Sequence, residues 1–159
     1  RYAVKQGIID LGGNTYVYGA KTDKTPWRIG IKNPAAPDEQ TALVLSLAQS
    51  VSIVTSGVYE RFFEQAGVRY HHILSPQTGF PARTQVLSVT VISNSSLEAD
   101  ALSTILFLLG VEQGFTFLQN YTHDVSAVFI TEKNEVIASR ALHGKLSTLH
   151  SAFSTIEYR

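Results

Sequence analysis

Apolar and polar residues alternate along the chain in short runs separated by glycine, proline and polar turns. Such alternation is typical of half-buried strands, and residues 7–11, 15–18 and 27–31 are the first examples, with a Gly-Gly-Asn turn between the first two. Residues 41–55 are apolar with interspersed small residues, but because their second half alternates and is β-branched we expect two strands joined near Gln49 instead of a helix. Further predictions are strands at 86–92, 125–131 and 135–140, a short turn or strand at 59–64, and a tail from residue 146 that adds a strand or stays partly loose.

After the 86–92 run the pattern becomes helical. Ser95 followed by Glu98 is a capping box, in which the two side chains satisfy each other's backbone amides at a helix start. Residues 99–109 repeat apolar side chains at intervals of three and four, and Gly110 stands where a helix commonly ends. A second helix is expected over 111–121. The pattern therefore predicts an α+β domain, a layered mixed or antiparallel sheet of hairpins with a helix pair on one face.

The chain has 159 residues, enough for one domain with a substantial core, and 44% of them are hydrophobic. Thirteen Lys and Arg balance thirteen Asp and Glu. Nucleic-acid and membrane-surface binders need a clustered basic surface, so this balance disfavours both and favours a small-molecule ligand. The absence of cysteine excludes disulfides, zinc thiolates and a cysteine nucleophile, and neither a G-x-S-x-G elbow nor a P-loop motif occurs.

The segment 70–81 concentrates reactive side chains in one loop. It carries His71 and His72 together with a turn glycine and two prolines, which fix φ and remove backbone donors. Such a loop is stiff, and imidazole changes its charge near neutral pH, so the loop is a candidate for proton transfer or phosphate contact. The alternative is that one of the two histidines is a satisfied core or turn residue.

Other candidates lie on the predicted helix and in two turns. Asp100 and Thr104 are four residues apart and share a helix face, where a carboxylate and a hydroxyl suit a hard cation such as Mg²⁺, although solvated helix faces often carry the same pair. The Gly12-Gly13 turn lets a flat ring or a phosphate approach the backbone, but an ordinary hairpin turn fits equally. Ser56 fits either a ligand-facing turn or the end of a strand.

The order and spacing of five motifs add information that no single motif carries. The motifs are Ile9-Asp10-Leu11-Gly12-Gly13-Asn14; Trp27-Arg28-Ile29-Gly30-Ile31 with Pro34; Thr55-Ser56-Gly57 with Tyr59-Glu60-Arg61; His71-His72-Ile73 with Pro76 and Thr78-Gly79-Phe80-Pro81; and Ala99-Asp100-Ala101-Leu102-Ser103-Thr104. In this succession the chain resembles the FAD:protein FMN transferase (ApbE) family, from about residue 7 to residue 140.

The resemblance implies an activity and a role for each matched residue. Members of the family bind FAD with Mg²⁺ and transfer its FMN half to a threonine or serine hydroxyl of an acceptor protein, releasing AMP. By the resemblance, Asp100 and Thr104 are metal ligands and His72 is the histidine of the family's loop. Because the acceptor hydroxyl must be deprotonated, His72 is our candidate for the catalytic general base, acting directly or through water. The positions implied to contact the flavin nucleotide are Gly12, Gly13, Ser56, His72 and Ile73.

The resemblance also implies that residues 1–159 are the C-terminal portion of a flavin transferase domain, because family members are considerably longer and their N-terminal half contributes to the site. Family members usually act outside the cytoplasm, as periplasmic or lipid-anchored proteins, and we expect the same here. The chain departs from the family at Ser75, where an aspartate is usual. Two other hypotheses therefore stand beside the transferase: a flavin-binding or trafficking module without turnover, and a structural domain in which the glycine turn and histidine loop only make turns.

Overall fold

The structure is a computed structural model that describes residues 3–37, 40–153 and 156–159. One α-helix, α1 (Ser96–Gln119), lies between the eighth and ninth strands of the described residues. The strands are β1 (Gly7–Asp10), β2 (Asn14–Tyr18), β3 (Trp27–Lys32), β4 (Thr41–Leu47), β5 (Val51–Gly57), β6 (Phe62–Gln65), β7 (Val68–His71), β8 (Val86–Ser93), β9 (Val125–Thr131), β10 (Val136–Ala138), β11 (Leu146–Thr148) and β12 (Ile156–Tyr158).

The strands form two sheets and a separate hairpin. The large sheet has the order β1-β2-β5-β8-β9-β10-β12, and its neighbours are antiparallel except for the parallel pair β10 and β12. The small sheet has the order β11-β4-β3, and β6 pairs with β7 alone. This arrangement confirms the predicted layered, mixed or antiparallel α+β fold, including the two strands expected within 41–55.

Apolar side chains on the two faces of the large sheet form two core clusters. Alternation along β5 sends Ile53 to the cluster shared with the small sheet and Val54 to the cluster under α1. The helix contributes Leu106 and Phe107, both fully buried, to the second cluster. Length and a mean hydropathy of 1.5 would by themselves also permit α1 to span a membrane, but packing against the sheet accounts for its apolar composition.

The start of α1 confirms one half of the predicted capping box and corrects the other. Ser95 is the N-cap, and its hydroxyl accepts from the Glu98 amide at 3.3 Å. The Ser95 amide, however, donates to the Ser93 hydroxyl and not to Glu98. The Glu98 carboxylate instead accepts from Ser93, Tyr121 and His123, and these bonds hold its pKa below the usual range, with Ser93 the largest cause.

The predicted helix pair is not confirmed, because residues 96–119 form one helix. Gly110 is the point at which the helical geometry is interrupted, with φ 74° and ψ −177°. Gly110 therefore does mark a helix break, as the sequence predicts, but the chain does not leave the sheet there. The two helical segments meet at a kink at Gly110, and residues of both, such as Leu106 and Phe115, pack into the same core cluster.

Candidate functional site

The Gly12-Gly13 turn closes the β1–β2 hairpin. Both glycines have positive φ, 74° and 81°, and the Asp10 carboxylate accepts from the Gly12 amide at 3.0 Å. The Gly13 carbonyl accepts from the Thr55 amide at 2.8 Å, and a Cβ on Gly13 would lie 3.4 Å from the Thr55 carbonyl oxygen and 3.9 Å from Glu60 Oε1. The glycines are thus required by the turn itself, and they also bring bare backbone beside the end of β5.

A cluster of three hydroxyls joins the end of β5 to α1. Ser56 Oγ lies 2.7 Å from Ser103 Oγ and 3.3 Å from Thr104 Oγ1. Ser103 is fully buried, whereas Thr104 is exposed on the same helix. Ser56, predicted as either a ligand-facing residue or the end of a strand, therefore links β5 to the face of α1 that carries the predicted metal ligands.

Asp100 and Thr104 both reach solvent from one side of α1. No group of three or more His, Asp or Glu side chains suited to a metal ion occurs in ranges 3–37, 40–153 and 156–159. A carboxylate and a hydroxyl nevertheless match the oxygen chemistry of Mg²⁺, which commonly takes one or two protein ligands and completes its shell with water and substrate phosphate. The donor set of this helix face therefore fits Mg²⁺ as a partial site.

The two neighbouring histidines have opposite environments. His71 is 9% exposed, its ring packs edge-on against Phe107 with centroids 5.7 Å apart, and its Nε2 lies 3.1 Å from the Ala82 carbonyl oxygen. A carbonyl can only accept, so Nε2 carries the proton. Burial lowers the pKa of His71, and His72 lowers it further. His71 is therefore a neutral core residue, as one of the alternatives predicts, but it is only half satisfied, because its Nδ1 is buried without a hydrogen-bond partner among the described residues.

His72 is exposed, and its Nδ1 lies 3.2 Å from the Arg61 carbonyl oxygen, which also accepts from the His72 amide at 3.0 Å. The same reasoning places the proton of the neutral ring on Nδ1 and leaves Nε2 with a free lone pair. An exposed imidazole whose tautomer is fixed by a backbone carbonyl is suited to accept a proton from a bound reactant.

Ile73 and Ser75 hold the shape of the histidine loop. The Ile73 side chain is 4% exposed in the core under α1, and its carbonyl accepts from the Ala82 amide at 3.0 Å. Ser75 exchanges backbone hydrogen bonds with Phe80 and Gly79 across the turn, at 2.8 Å each, and its hydroxyl donates to Gln77. These bonds give the loop the stiffness that its prolines and glycine predict.

Residues 59–61 connect the glycine turn with the histidine loop. Tyr59 is 7% exposed, and its pKa is raised by burial and then by the charge of Glu60. With Tyr59 anchored, Glu60 lies beside Gly13 and the Arg61 carbonyl holds His72. Sequence reasoning missed Glu60 and Ser103 as site residues. The available signal for Ser103 was a polar residue on the helix face between Ala99 and Phe107, each four residues away, where burial requires a hydrogen-bond partner.

Two grooves of the described surface lie away from Asp100 and the glycine turn. One, of about 730 Å³, lies beside the Gly110 break and the β9–β10 turn. The other, of about 1250 Å³, adjoins the β6–β7 hairpin and is lined in part by Arg69, Tyr70 and His71. The second groove therefore borders the histidine loop, where Ser75, Thr78 and Phe80 also line it.

Comparisons with known proteins agree on one family. The family model described as the ApbE family matches residues 1–129. A FAD:protein FMN transferase of Treponema pallidum is 40% identical over 96% of this chain and 44% of its own length, and one of Klebsiella pneumoniae is 42% identical over 97% of this chain and 46% of its own length. The crystal structure of an ApbE protein from Thermotoga maritima superposes with a TM-score of 0.76 at 37% identity, covering 88% of this chain and 44% of the other.

The chain thus spans slightly less than half the length of the curated relatives it matches. The matched region contains the glycine turn, the hydroxyl cluster, the histidine loop and the helix face described above. Sequence, family model and fold lead to the same assignment. The chain belongs to the ApbE family.

Proposed function

We propose that the protein of which this chain forms part transfers the FMN half of FAD to a threonine or serine hydroxyl of an acceptor protein and releases AMP. The relatives named FAD:protein FMN transferase support the reaction. The structural observation that carries the proposal is the contact of Ser56 with Thr104. This contact joins the face of α1 that carries Asp100 and Thr104 to β5. The residues after β5 place Glu60 beside the glycine turn and the Arg61 carbonyl beside His72.

The reaction is a phosphoryl transfer. The acceptor hydroxyl oxygen forms a bond to the phosphorus on the FMN side of FAD, the bridging P–O bond breaks, and AMP leaves with the bridging oxygen. The hydroxyl proton passes to Nε2 of His72, whose Nδ1–H stays bonded to the Arg61 carbonyl and stabilises the imidazolium that forms. His72 is therefore the proposed catalytic base.

Asp100 and Thr104 would hold Mg²⁺, which when bound neutralises charge on the pyrophosphate oxygens. The carboxylate of Asp100 supplies the negative charge and Thr104 a neutral oxygen, and both are exposed to an approaching nucleotide. Gly12 and Gly13 leave room for the nucleotide beside Thr55 and Glu60. Ile73 acts by fixing the loop backbone, since its side chain is buried.

Further parts of the proposal rest on the family resemblance. Residues 1–159 are the C-terminal portion of the transferase domain, and a preceding half of the same protein supplies the remaining contacts to FAD. The protein acts outside the cytoplasm, as a periplasmic or lipid-anchored enzyme. The balance of thirteen basic and thirteen acidic residues disfavours nucleic acid as a partner.

The experiment is to incubate the full-length protein with FAD, Mg²⁺ and a threonine-bearing acceptor, and to follow covalent flavin on the acceptor by in-gel fluorescence and AMP by chromatography. Asp100→Ala should abolish both products. Glu112→Ala removes an exposed acid further along the same helix and is the matched control, with activity expected to be retained. Full activity of Asp100→Ala would contradict the metal role.

A second candidate is a flavin-binding module without turnover. It is favoured by Ser75, which stands where the family usually has an acid and here only bonds within its own turn. This candidate predicts that the fluorescence of FAD changes when FAD binds, while neither AMP nor labelled acceptor forms. Product formation in the assay above would exclude it.

A further inference from the structure

Only one arrangement of the hydroxyl protons makes hydrogen bonds of all three contacts in the Ser56, Ser103 and Thr104 cluster. Ser103 Oγ donates to the Asp100 carbonyl oxygen at 2.9 Å. Each hydroxyl has one proton, so in the 2.7 Å contact between Ser56 and Ser103 it is Ser56 that donates. Ser56 Oγ then has lone pairs available for the Thr104 proton at 3.3 Å.

The consequence lies at Thr104. A hydroxyl that coordinates a cation offers an oxygen lone pair and keeps its proton, which needs an acceptor elsewhere. Ser56 is that acceptor, so the lone pairs of Thr104 face away from β5 and towards solvent. The chain of donors ends on the backbone of Asp100, the residue that carries the other cation-binding oxygen.

We propose that Ser103 is a positioning residue of the cation site: it fixes the direction of the Ser56 hydroxyl and thereby orients the oxygen of Thr104 for a divalent cation. This inference rests on the proposed metal role of Asp100 and Thr104 but assigns a new residue, which is fully buried and touches neither cation nor nucleotide. Removal of the Ser103 hydroxyl frees the Ser56 proton to turn towards Thr104, where it competes with the cation for the same lone pair.

The chain provides a matched control for a serine-to-alanine substitution. Ser52 is also fully buried, lies on β5 with Ser56, and its Oγ has no hydrogen-bond partner among the described residues. Ser52→Ala therefore removes the same atom from an equally buried place without interrupting the donor chain.

The test measures Mn²⁺ affinity of the full-length protein, in the presence of FAD, from the electron paramagnetic resonance signal of free Mn²⁺. Loss of residues that orient metal ligands typically costs about 10- to 100-fold in metal affinity, and we expect a decrease in that range for Ser103→Ala and none for Ser52→Ala. Urea unfolding of both variants without metal shows whether the fold is retained. In a double-mutant cycle, Ser56→Ala combined with Ser103→Ala should bind Mn²⁺ no more weakly than Ser56→Ala alone.

The outcomes separate this proposal from the proposed function. Unchanged Mn²⁺ affinity in Ser103→Ala, when Asp100→Ala loses it, would overturn only the positioning role. Unchanged affinity in Asp100→Ala would overturn the metal site and this inference together. If Ser103→Ala does not fold, Ser56→Ala interrupts the same donor chain at its middle link, and wild-type Mn²⁺ affinity in that variant would equally overturn the orienting role of the chain.

Discussion

His71 and His72 are adjacent in sequence, yet the structure predicts that substitution of each will affect a different property. His71→Ala removes a ring that packs against Phe107 and leaves the buried Ala82 carbonyl without its partner. The edge-to-face contact is worth about 0.5–1.5 kcal/mol and an orphaned buried acceptor costs about 1–3 kcal/mol, so with a cavity in addition we expect a loss of about 3 kcal/mol of unfolding free energy. His72→Ala removes an exposed side chain and should change stability by less than about 0.5 kcal/mol.

Guanidinium unfolding followed by the fluorescence of Trp27, the single tryptophan, measures both values. His71→Phe is the matched variant, because it keeps an aromatic ring beside Phe107. It loses the bond to Ala82 but also removes the buried, unpartnered Nδ1, so the expected cost is at most about 1–2 kcal/mol. Flavin transfer by the full-length protein should be lost in His72→Ala and largely retained in His71→Phe.

The pH dependence of stability supplies a further test of His71. Burial depresses its folded pKa below the ordinary value of about 6.5, so the unfolded state binds more protons once the pH falls below that value. Stability of the wild type should therefore decrease from about pH 6.5 down to the folded pKa, and this component should be absent in His71→Phe. Equal destabilisation by His71→Ala and His72→Ala, or an identical pH profile in His71→Phe, would refute the assignment of His71 to the core.

Three other predictions concern α1. Glu98→Gln should lower the free energy of unfolding by about 1–2 kcal/mol at pH 7, because three donors lose a charged acceptor. The folded pKa of Glu98 is depressed, so this difference is present above the unfolded pKa near 4.5 and should vanish as the pH falls through the folded pKa; urea unfolding at several pH values measures it. Gly114→Ala places a Cβ 2.9 Å from Phe129 Cζ, so overpacking should outweigh the gain in helix propensity and lower stability by about 1–2 kcal/mol; a stabilised variant in thermal unfolding would contradict this packing. In Gly110→Ala the new Cβ would have no atom within 3.6 Å, but the alanine must adopt φ 74°, so backbone strain should lower stability by about 1–3 kcal/mol. An unchanged melting temperature would contradict the break at Gly110.

Several elements could be predicted from local sequence because their cause is local. The Gly12-Gly13 turn follows from two positive φ angles that glycine adopts at little cost, and the N-cap at Ser95 follows from a hydroxyl within reach of an amide three residues on. Alternation of β-branched residues correctly predicted β5 and β8. The prediction of the second half of the capping box was wrong because Ser93 bonds both partners: its hydroxyl accepts from the Ser95 amide and donates to Glu98, which also accepts from Tyr121 and His123, distant in sequence.

The prediction of a helix pair was wrong for a related reason. Gly110 is a strong local signal for a helix end, but the apolar residues on both sides of it pack against the same sheet, and this burial holds both segments on the sheet across the kink. Long-range packing of this kind is not visible in a residue and its neighbours.

The sequence by itself determined the family, the alternation that builds the sheet, and the identity of the candidate groups, because these depend on residue type and order. Only the tertiary structure decided which histidine is buried, that Ser103 connects β5 to Asp100, and that Glu60 lies beside Gly13. Those facts depend on which strand lies under which turn of the helix. Burial and hydrogen-bond partners are properties of that packing, and identical residue types can therefore have different chemistry.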